Sequence, residues 1–180
     1  MAATTRKVFI SYHHADQSEA DDFVKTFDEK KQVFISRALG TEMDPTIIDS
    51  GDPEYVMRRI RELYLKDSTV TIILIGKCTW ARRFVDWELQ ASLRHGDKTT
   101  PNGVLGIVLP SAGKTPTAPD RLKVNLKGKD VDEGYARWHW YTSSATDLGT
   151  WIEDAFGART SRARLIENPV ERFKFNKQCP

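Results

Sequence analysis

The sequence predicts an α/β protein with an open, mostly parallel sheet and helices on both faces. Short β-favouring runs alternate along the chain with stretches of helical spacing, which is typical of this class. The runs 69–75 and 103–109 are almost uninterrupted in apolar residues, as expected of strands that are covered on both faces. In such sheets ligands bind beyond the carboxyl ends of the strands, near the point where the strand order reverses.

Composition is that of an ordinary globular domain. A chain of 180 residues is long enough to bury a core, and its net charge of +2 is too small to indicate nucleic acid or an anionic membrane as a partner. The cysteines, Cys78 and Cys179, lie far apart in sequence, which predicts neither a disulfide framework nor a zinc site and favours the reducing cytoplasm. No run approaches the roughly 20 apolar residues of a membrane span, and the N-terminus does not resemble a signal peptide.

The first half of the chain is predicted to contain three main strands. Residues 8–12 form the first, a helix follows from Ser18, and residues 32–36 form the second. A loop then runs to Gly51, with a short strand at 46–48. A helix begins at 52–54, where Asp-Pro-Glu supplies a capping carboxylate, a proline at the first position and an acid in the first turn. The run 69–75 is the predicted central strand.

The second half is predicted to hold one more helix, a buried strand at 103–109 and a loop at 111–119. We expect a strand at 123–126, a last strand at 138–141, and a helix from Thr146 that stops at Gly157. Residues 1–157 would then form the domain, and residues 158–180 a basic C-terminal extension that packs on the domain or docks a partner.

Glu88 is the first candidate for a functional residue. On a helix over 79–93 it falls in the middle of a broad apolar face, with no Lys or Arg at helical spacing. Because burying an unpaired charge is costly, Glu88 must be paired from elsewhere, exposed in a cleft, or shifted in pKa. The opposite, polar face is predicted to carry Arg82, Arg83, Asp86, Gln90 and Arg94. The loops 11–16, 48–52 and 76–83 should gather at the ligand edge of the sheet, with Glu88 just behind the third.

Three features resemble a known family. They are the Val-Phe-Ile-Ser-Tyr run at 8–12 with its polar loop, the strand ending Leu-Ile-Gly at 76, and the run Thr-Trp-Ala-Arg-Arg-Phe-Val-Asp-Trp-Glu at 79–88. Over residues 7–110 the chain resembles the flavodoxin-like Toll/interleukin-1 receptor (TIR) fold, and more closely the TIR-like proteins of the bacterial Thoeris anti-phage system. Many TIR sequences have Trp-Cys two to three residues before the glutamate. Here Trp87 directly precedes Glu88, which places the chain in the divergent TIR-like branch.

The resemblance implies that Glu88 is the catalytic residue of an NAD-cleaving enzyme, an NAD glycohydrolase or ADP-ribosyl cyclase, which makes a cyclic ADP-ribose-type signal in antiviral defence. NAD is then a substrate, and no cofactor or metal is expected. Loss of nicotinamide leaves an oxocarbenium-like ribose, which one carboxylate can stabilise. We expect aromatic side chains to stack on the rings, arginines to pair with the pyrophosphate, and smaller polar groups to contact ribose or amide. These residues are Phe9, Tyr12, Trp80, Arg82, Arg83, Ser11 and Asp49.

The expected partners follow from this function. A diffusible nucleotide would reach a downstream effector, with no nucleic acid or membrane involved, while a phage-derived trigger and a homo-oligomer stay open. A non-catalytic TIR-like interaction module and a nucleoside glycosyl transferase are the alternatives. Individual residues also have plain structural interpretations: Glu88 in a salt bridge, the tryptophans and Cys78 in the core, and the arginines on the surface.

Overall fold

The strands form a single parallel sheet in the computed structural model, which describes residues 5–39, 45–126, 134–169 and 171–180. The order in this five-stranded sheet is β2-β1-β3-β4-β5, and every pair is parallel. The predicted α/β fold is therefore confirmed, and 69–75 does supply the central strand. The strands are β1 (Arg6–Ser11), β2 (Phe34–Leu39), β3 (Val70–Ile75), β4 (Gly103–Val108) and β5 (Arg137–Trp140).

Helices cover both faces of the sheet. The α-helices of the described residues are α1 (Gln17–Val24), α2 (Pro45–Ile48), α3 (Pro53–Leu63), α4 (Arg83–Leu93), α5 (Asp120–Asn125) and α6 (Ala145–Ser161). A π-helical segment, Lys25–Lys30, continues α1. The predicted start of α3 is confirmed, because the Asp52 side chain accepts hydrogen bonds from the first backbone amides of this helix. Within the described residues no helix is long and apolar enough to cross a membrane.

The core lies in two layers, one on each face of the sheet. On one face α1 and α6 pack through residues such as Phe23 and Ile152. On the other face α4 and α5 pack through Leu89 and Leu122, beside a cluster in which Phe9 of β1 meets α2, α3 and α4. β3 and β4 are buried along their whole lengths, which explains their continuous apolar sequence.

The strand order reverses between β1 and β3. The chain runs from β1 outward to β2, and then returns to the other side of β1 to build β3, β4 and β5. At this point Ser11, the last residue of β1, pairs with Ile73 of β3. The carboxyl ends of these two strands therefore border the crevice in which sheets of this kind bind ligands.

Two of the predicted short strands are wrong. Residues 46–48 lie in α2, because Pro45 fits the first turn of a helix and Ile47 is buried in the core cluster that includes Phe9. Residues 123–125 lie in α5, whose Leu122 and Asn125 are buried on one side. In both places tertiary packing overrides a weak β preference.

The predicted stop at Gly157 is also wrong. Helix α6 continues through Gly157 to Ser161, because Ala155 and Ala158 on either side of it are buried in the core and keep the helix on the sheet. The expected boundary between residues 157 and 158 thus lies inside a helix.

Cys78 and Cys179 form a disulfide, contrary to the sequence-based expectation. Their Cα atoms are 5.7 Å apart, although 101 residues separate them in the chain. The last residues run back along α4 and so bring Cys179 to the end of β3. Cys78 is consequently a half-buried partner in a cross-link and not a small core residue.

Candidate functional site at the carboxyl ends of β1 and β3

Glu88 lies in the second turn of α4, and its side chain meets the end of β1. The Ser11 hydroxyl donates a hydrogen bond of 2.6 Å to Glu88 Oε2. Ser11 is fully buried and Glu88 is only 5% exposed. Among the ion pairs of the described residues none involves Glu88. The carboxylate that looked unpaired in the sequence therefore has a hydroxyl as its partner and no cation.

This environment changes the acidity of Glu88. Burial raises its pKa from the ordinary value of 4.5 to about 7, and the hydrogen bond from Ser11 opposes part of that rise. Of the outcomes that the sequence left open for a carboxylate on an apolar helix face, the structure shows a shifted pKa. Glu88 can therefore exchange its proton close to neutral pH.

A row of polar side chains under α4 fixes the rotation of this helix on the sheet. Ser92 Oγ donates to the Glu88 carbonyl oxygen at 2.8 Å and lies 2.8 Å from Thr71 Oγ1 in β3. Asn102, just before β4, donates to Thr71 Oγ1 at 3.2 Å. Sequence reasoning missed these residues, although a serine four residues after Glu88, on the same helix face, was a usable signal. The row holds Glu88 toward Ser11.

The three aromatic residues predicted to contact the substrate lie in different parts of the structure. Phe9 is fully buried on the same face of the sheet as Glu88 and packs in a cluster with Trp87. Tyr12 belongs to the core on the opposite face, and its hydroxyl donates to Gln17 Oε1 at 2.7 Å. Trp80 is half-buried in the helical turn after β3.

Asp49 is exposed just after α2. Its backbone amide donates to the Pro45 carbonyl oxygen at 3.0 Å. In the described part of the chain its side chain makes no hydrogen bond to Glu88. Of the predicted contact residues, Ser11 is the one that the structure brings into hydrogen-bond contact with Glu88.

Comparison with known protein families identifies one that matches this chain. The model of the family described as Thoeris protein ThsB, TIR-like domain, matches residues 9–114, which is more than half of the chain. The chain belongs to this family. It is therefore a TIR-like protein of a defence-related type, and the resemblance found in its sequence is confirmed. No curated protein matches the chain.

Arg82 and Arg83 of the TIR-like domain contact the C-terminal residues. Arg82 Nη2 donates to the Lys177 carbonyl oxygen at 3.1 Å, and Arg83 Nη1 donates to the Lys174 carbonyl oxygen at 3.1 Å. The backbone amide of Arg83 donates to Asn176 Oδ1 at 2.8 Å. Both arginines are half-buried under the chain's own tail and are not solvated surface charges.

Asp86 of the TIR-like domain is buried, although its place on the helix predicted exposure. Its carboxylate accepts from Arg121 Nε at 2.9 Å and Nη2 at 3.3 Å, and the two side chains are 4% and 0% exposed. Arg121 comes from α5, so no spacing within α4 could have predicted this pair. The bidentate contact ties α4 to α5.

Asp16, in the loop after β1 of the TIR-like domain, packs against the loop after β3. A Cβ atom on Gly76 would lie 2.1 Å from Asp16 Oδ2, so a larger residue after β3 would displace the Asp16 side chain. Thr79 Oγ1 lies 2.9 Å from the Gly76 amide and 3.4 Å from Asp16 Oδ2. Burial raises the pKa of Asp16. This contact holds the loops after β1 and β3 together beside the Ser11–Glu88 pair.

Proposed function

We propose that this TIR-like protein cleaves NAD between nicotinamide and ribose and makes a cyclic ADP-ribose-type signal in anti-phage immunity. The observation that carries the proposal is the buried Glu88 carboxylate, which has a hydroxyl for a partner and lies where the strand order reverses. Such a group meets the need of a reaction that builds positive charge on a sugar. Membership of the Thoeris TIR-like family supports the same reaction.

The reaction needs little besides this carboxylate. When the bond from ribose C1′ to nicotinamide breaks, the electron pair goes to the ring nitrogen, and nicotinamide leaves as a neutral base. No acid has to protonate the leaving group. The ribose becomes an oxocarbenium-like cation, which an ionised Glu88 stabilises at short range in a site of low dielectric. An atom of the same molecule then captures C1′ and closes the cyclic product. Capture by water instead would give ADP-ribose, with release of a proton.

The burial of Glu88 strengthens this argument. A buried carboxylate without a cation carries an unfavourable charge, which explains its raised pKa. A developing ribosyl cation relieves that cost, so the interaction is stronger in the transition state than in the ground state. Ser11 holds one carboxylate oxygen, Oε2, so Oε1 is the oxygen that would contact the ribose.

The other contacts are extensions of this proposal. Phe9, Trp80 and Tyr12 would order the rings, and Asp49 a polar group of the substrate. Arg82 and Arg83 would hold the pyrophosphate once the tail has left them. Because Glu88 is 5% exposed, neighbouring groups must move before NAD reaches it.

Mass spectrometry of NAD incubations tests the function directly. Purified protein, and lysate of phage-infected cells that express it, should convert NAD to nicotinamide and a cyclic or linear ADP-ribose. Glu88→Gln should lower this conversion by at least about 100-fold, as loss of a central electrostatic group does. Glu29→Gln, the same change at an exposed position of the π-helical segment, should leave it unchanged. Full conversion by Glu88→Gln would rule out the mechanism.

The exposed aromatic side chains of β5 favour a second candidate, a non-catalytic interaction module. Trp138 is 40% and Trp140 58% exposed on this edge strand, where unpaired backbone groups can also bind another chain. An interaction module would leave NAD intact, and defence against phage would survive Glu88→Gln. Loss of defence in Glu88→Gln, with NAD consumption by the unaltered protein, would decide against it.

A further inference from the structure

We propose that residues 173–179 form a redox-controlled strap, which the Cys78–Cys179 disulfide closes over the arginines at the start of α4. The proposal rests on the proposed function in one respect, since it takes Arg82 and Arg83 as the pyrophosphate ligands. It adds that the protein itself occupies these donors until a thiol reductant opens the disulfide.

The strap places oxygen acceptors on the donors that an anionic ligand would use. Carbonyl or amide oxygens of the strap accept from Trp87 Nε1, the Arg83 amide, Arg83 Nη1 and Arg82 Nη2. These contacts are 2.7–3.1 Å long. Guanidinium groups and the free amides of a helix N-terminus bind phosphate oxygens in the same way. The strap and a pyrophosphate group therefore compete for one set of donors.

The inner end of the strap is held without the disulfide. The Phe173 amide donates to Asp86 Oδ2 at 2.9 Å, and that carboxylate is itself fixed by the buried Arg121. The Arg172 guanidinium lies 4.6 Å from the centre of the Trp87 ring, in cation–π contact. These contacts do not depend on thiol chemistry, so they form a pivot.

Besides its bonds to Arg82 and Arg83, the outer end is held by weak surface contacts and by the disulfide. Phe175 is 78% exposed and buries little apolar surface, and the Lys177–Asp120 ion pair lies at the surface, with side chains 45% and 44% exposed. Exposed pairs of this kind contribute little. The backbone bond from the Lys177 amide to the Ala81 carbonyl oxygen is 2.9 Å long, and it lies two residues before Cys179. Without the covalent link this end should detach.

The chemical step is thiol–disulfide exchange. A dithiol reductant supplies two electrons and two protons, the bond between the Cys78 and Cys179 sulfur atoms breaks, both residues become thiols, and the reductant becomes a disulfide. Both cysteines are half-buried rather than enclosed in the core, so a small thiol can reach the disulfide from the surface. In a reducing compartment such cross-links are usually transient or redox-sensing, which suits a switch.

The test compares the oxidised protein, the protein treated with dithiothreitol, and Cys179→Ser, with the cross-link verified by mass. Hydrogen exchange of the 173–179 amides should be at least about tenfold faster in the reduced protein, because local opening sets exchange. Inorganic pyrophosphate, measured by calorimetry, should bind at least about fivefold more tightly to the reduced protein, since a competing contact is gone. Cys179→Ser should match the reduced protein with or without dithiothreitol.

Three results would overturn the proposal. The oxidised protein could lack the cross-link, the strap could exchange equally fast in both redox states, or pyrophosphate could bind equally well after the strap opens. NAD cleavage is measured separately on the same samples. The strap could open and pyrophosphate could bind more tightly while NAD is not cleaved in either redox state. That result would rule out the proposed function but would still support the strap proposal.

Discussion

The Ser11 hydroxyl donates a 2.6 Å hydrogen bond to Glu88 Oε2, and so joins the last residue of β1 to the second turn of α4. The bond favours the ionised carboxylate, while burial disfavours it. The pKa of about 7 is the balance of these two effects. A change to either residue should therefore be visible in how the protein depends on pH.

NAD cleavage should rise with pH and level off above a midpoint near 7, because the ionised form of Glu88 stabilises the cation. Ser11→Ala removes the bond that lowers the pKa, so the midpoint should move upward by roughly one unit, the equivalent of about 1.4 kcal/mol. The pH profile of kcat/KM measures this, because it reports ionisation in the free enzyme. Ser18→Ala, at an exposed position of α1, serves as the control and should keep the original midpoint. A downward shift in Ser11→Ala would contradict the assignment.

Ionisation of Glu88 should also affect folding stability, but in the opposite direction: stability should fall as the pH rises. The folded-state pKa of Glu88 lies above its ordinary value of 4.5, so its contribution is greatest below pH 4.5 and is lost as pH rises to about 7. Glu88→Gln cannot ionise and escapes this loss. Relative to the unaltered protein, the variant should gain roughly 2 kcal/mol in free energy of unfolding between pH 5 and pH 8.

Urea unfolding at the two pH values measures that gain. Glu29→Gln should gain nothing over the same interval, since its side chain is exposed in the folded protein. An equal gain in both variants would mean that the buried carboxylate is not the cause.

The Asp86–Arg121 pair should be costly to break from one side. Asp86→Leu leaves the fully buried Arg121 without its carboxylate and should lower the free energy of unfolding by about 3–5 kcal/mol. Arg121→Met leaves the buried Asp86 carboxylate without its cation and should be costly in the same way. The double variant should be more stable than either single one, because no unpaired charge stays buried. Chemical unfolding of the unaltered protein, the two single variants and the double variant gives the coupling free energy between Asp86 and Arg121. Losses that simply add in the double variant would contradict this prediction.

Gly103 should tolerate no side chain. A Cβ atom there would lie 2.0 Å from the Ala155 carbonyl oxygen, which is backbone of α6 and cannot rotate away. Gly103→Ala should therefore lower the free energy of unfolding by about 1–3 kcal/mol or more. Gly51→Ala has nothing within 4 Å of its new methyl group and is the matched control. Thermal unfolding of both variants measures the difference, and equal melting temperatures would show that α6 can shift.

Local patterns in the sequence determined much of this protein. The alternation of strand and helix signals predicted the α/β sheet, and the continuous apolar run predicted the central strand. Helical periodicity also located Glu88 on the buried face of α4, because a helix repeats every few residues and its faces can be read from neighbours. Family membership followed from the same short runs.

Tertiary structure decided what depends on distant residues. Asp86 is buried because Arg121 reaches it from another helix, and residues 46–48 are helical because Ile47 is buried in the core cluster that includes Phe9. The path of the tail back along α4, which joins Cys179 to Cys78, has no counterpart in any spacing. Periodicity shows which face of an element is buried, but the partner of each buried group comes from the packing of the whole chain. The sequence alone therefore picked out Glu88, and the fold supplied Ser11 as its partner and the strap beside it.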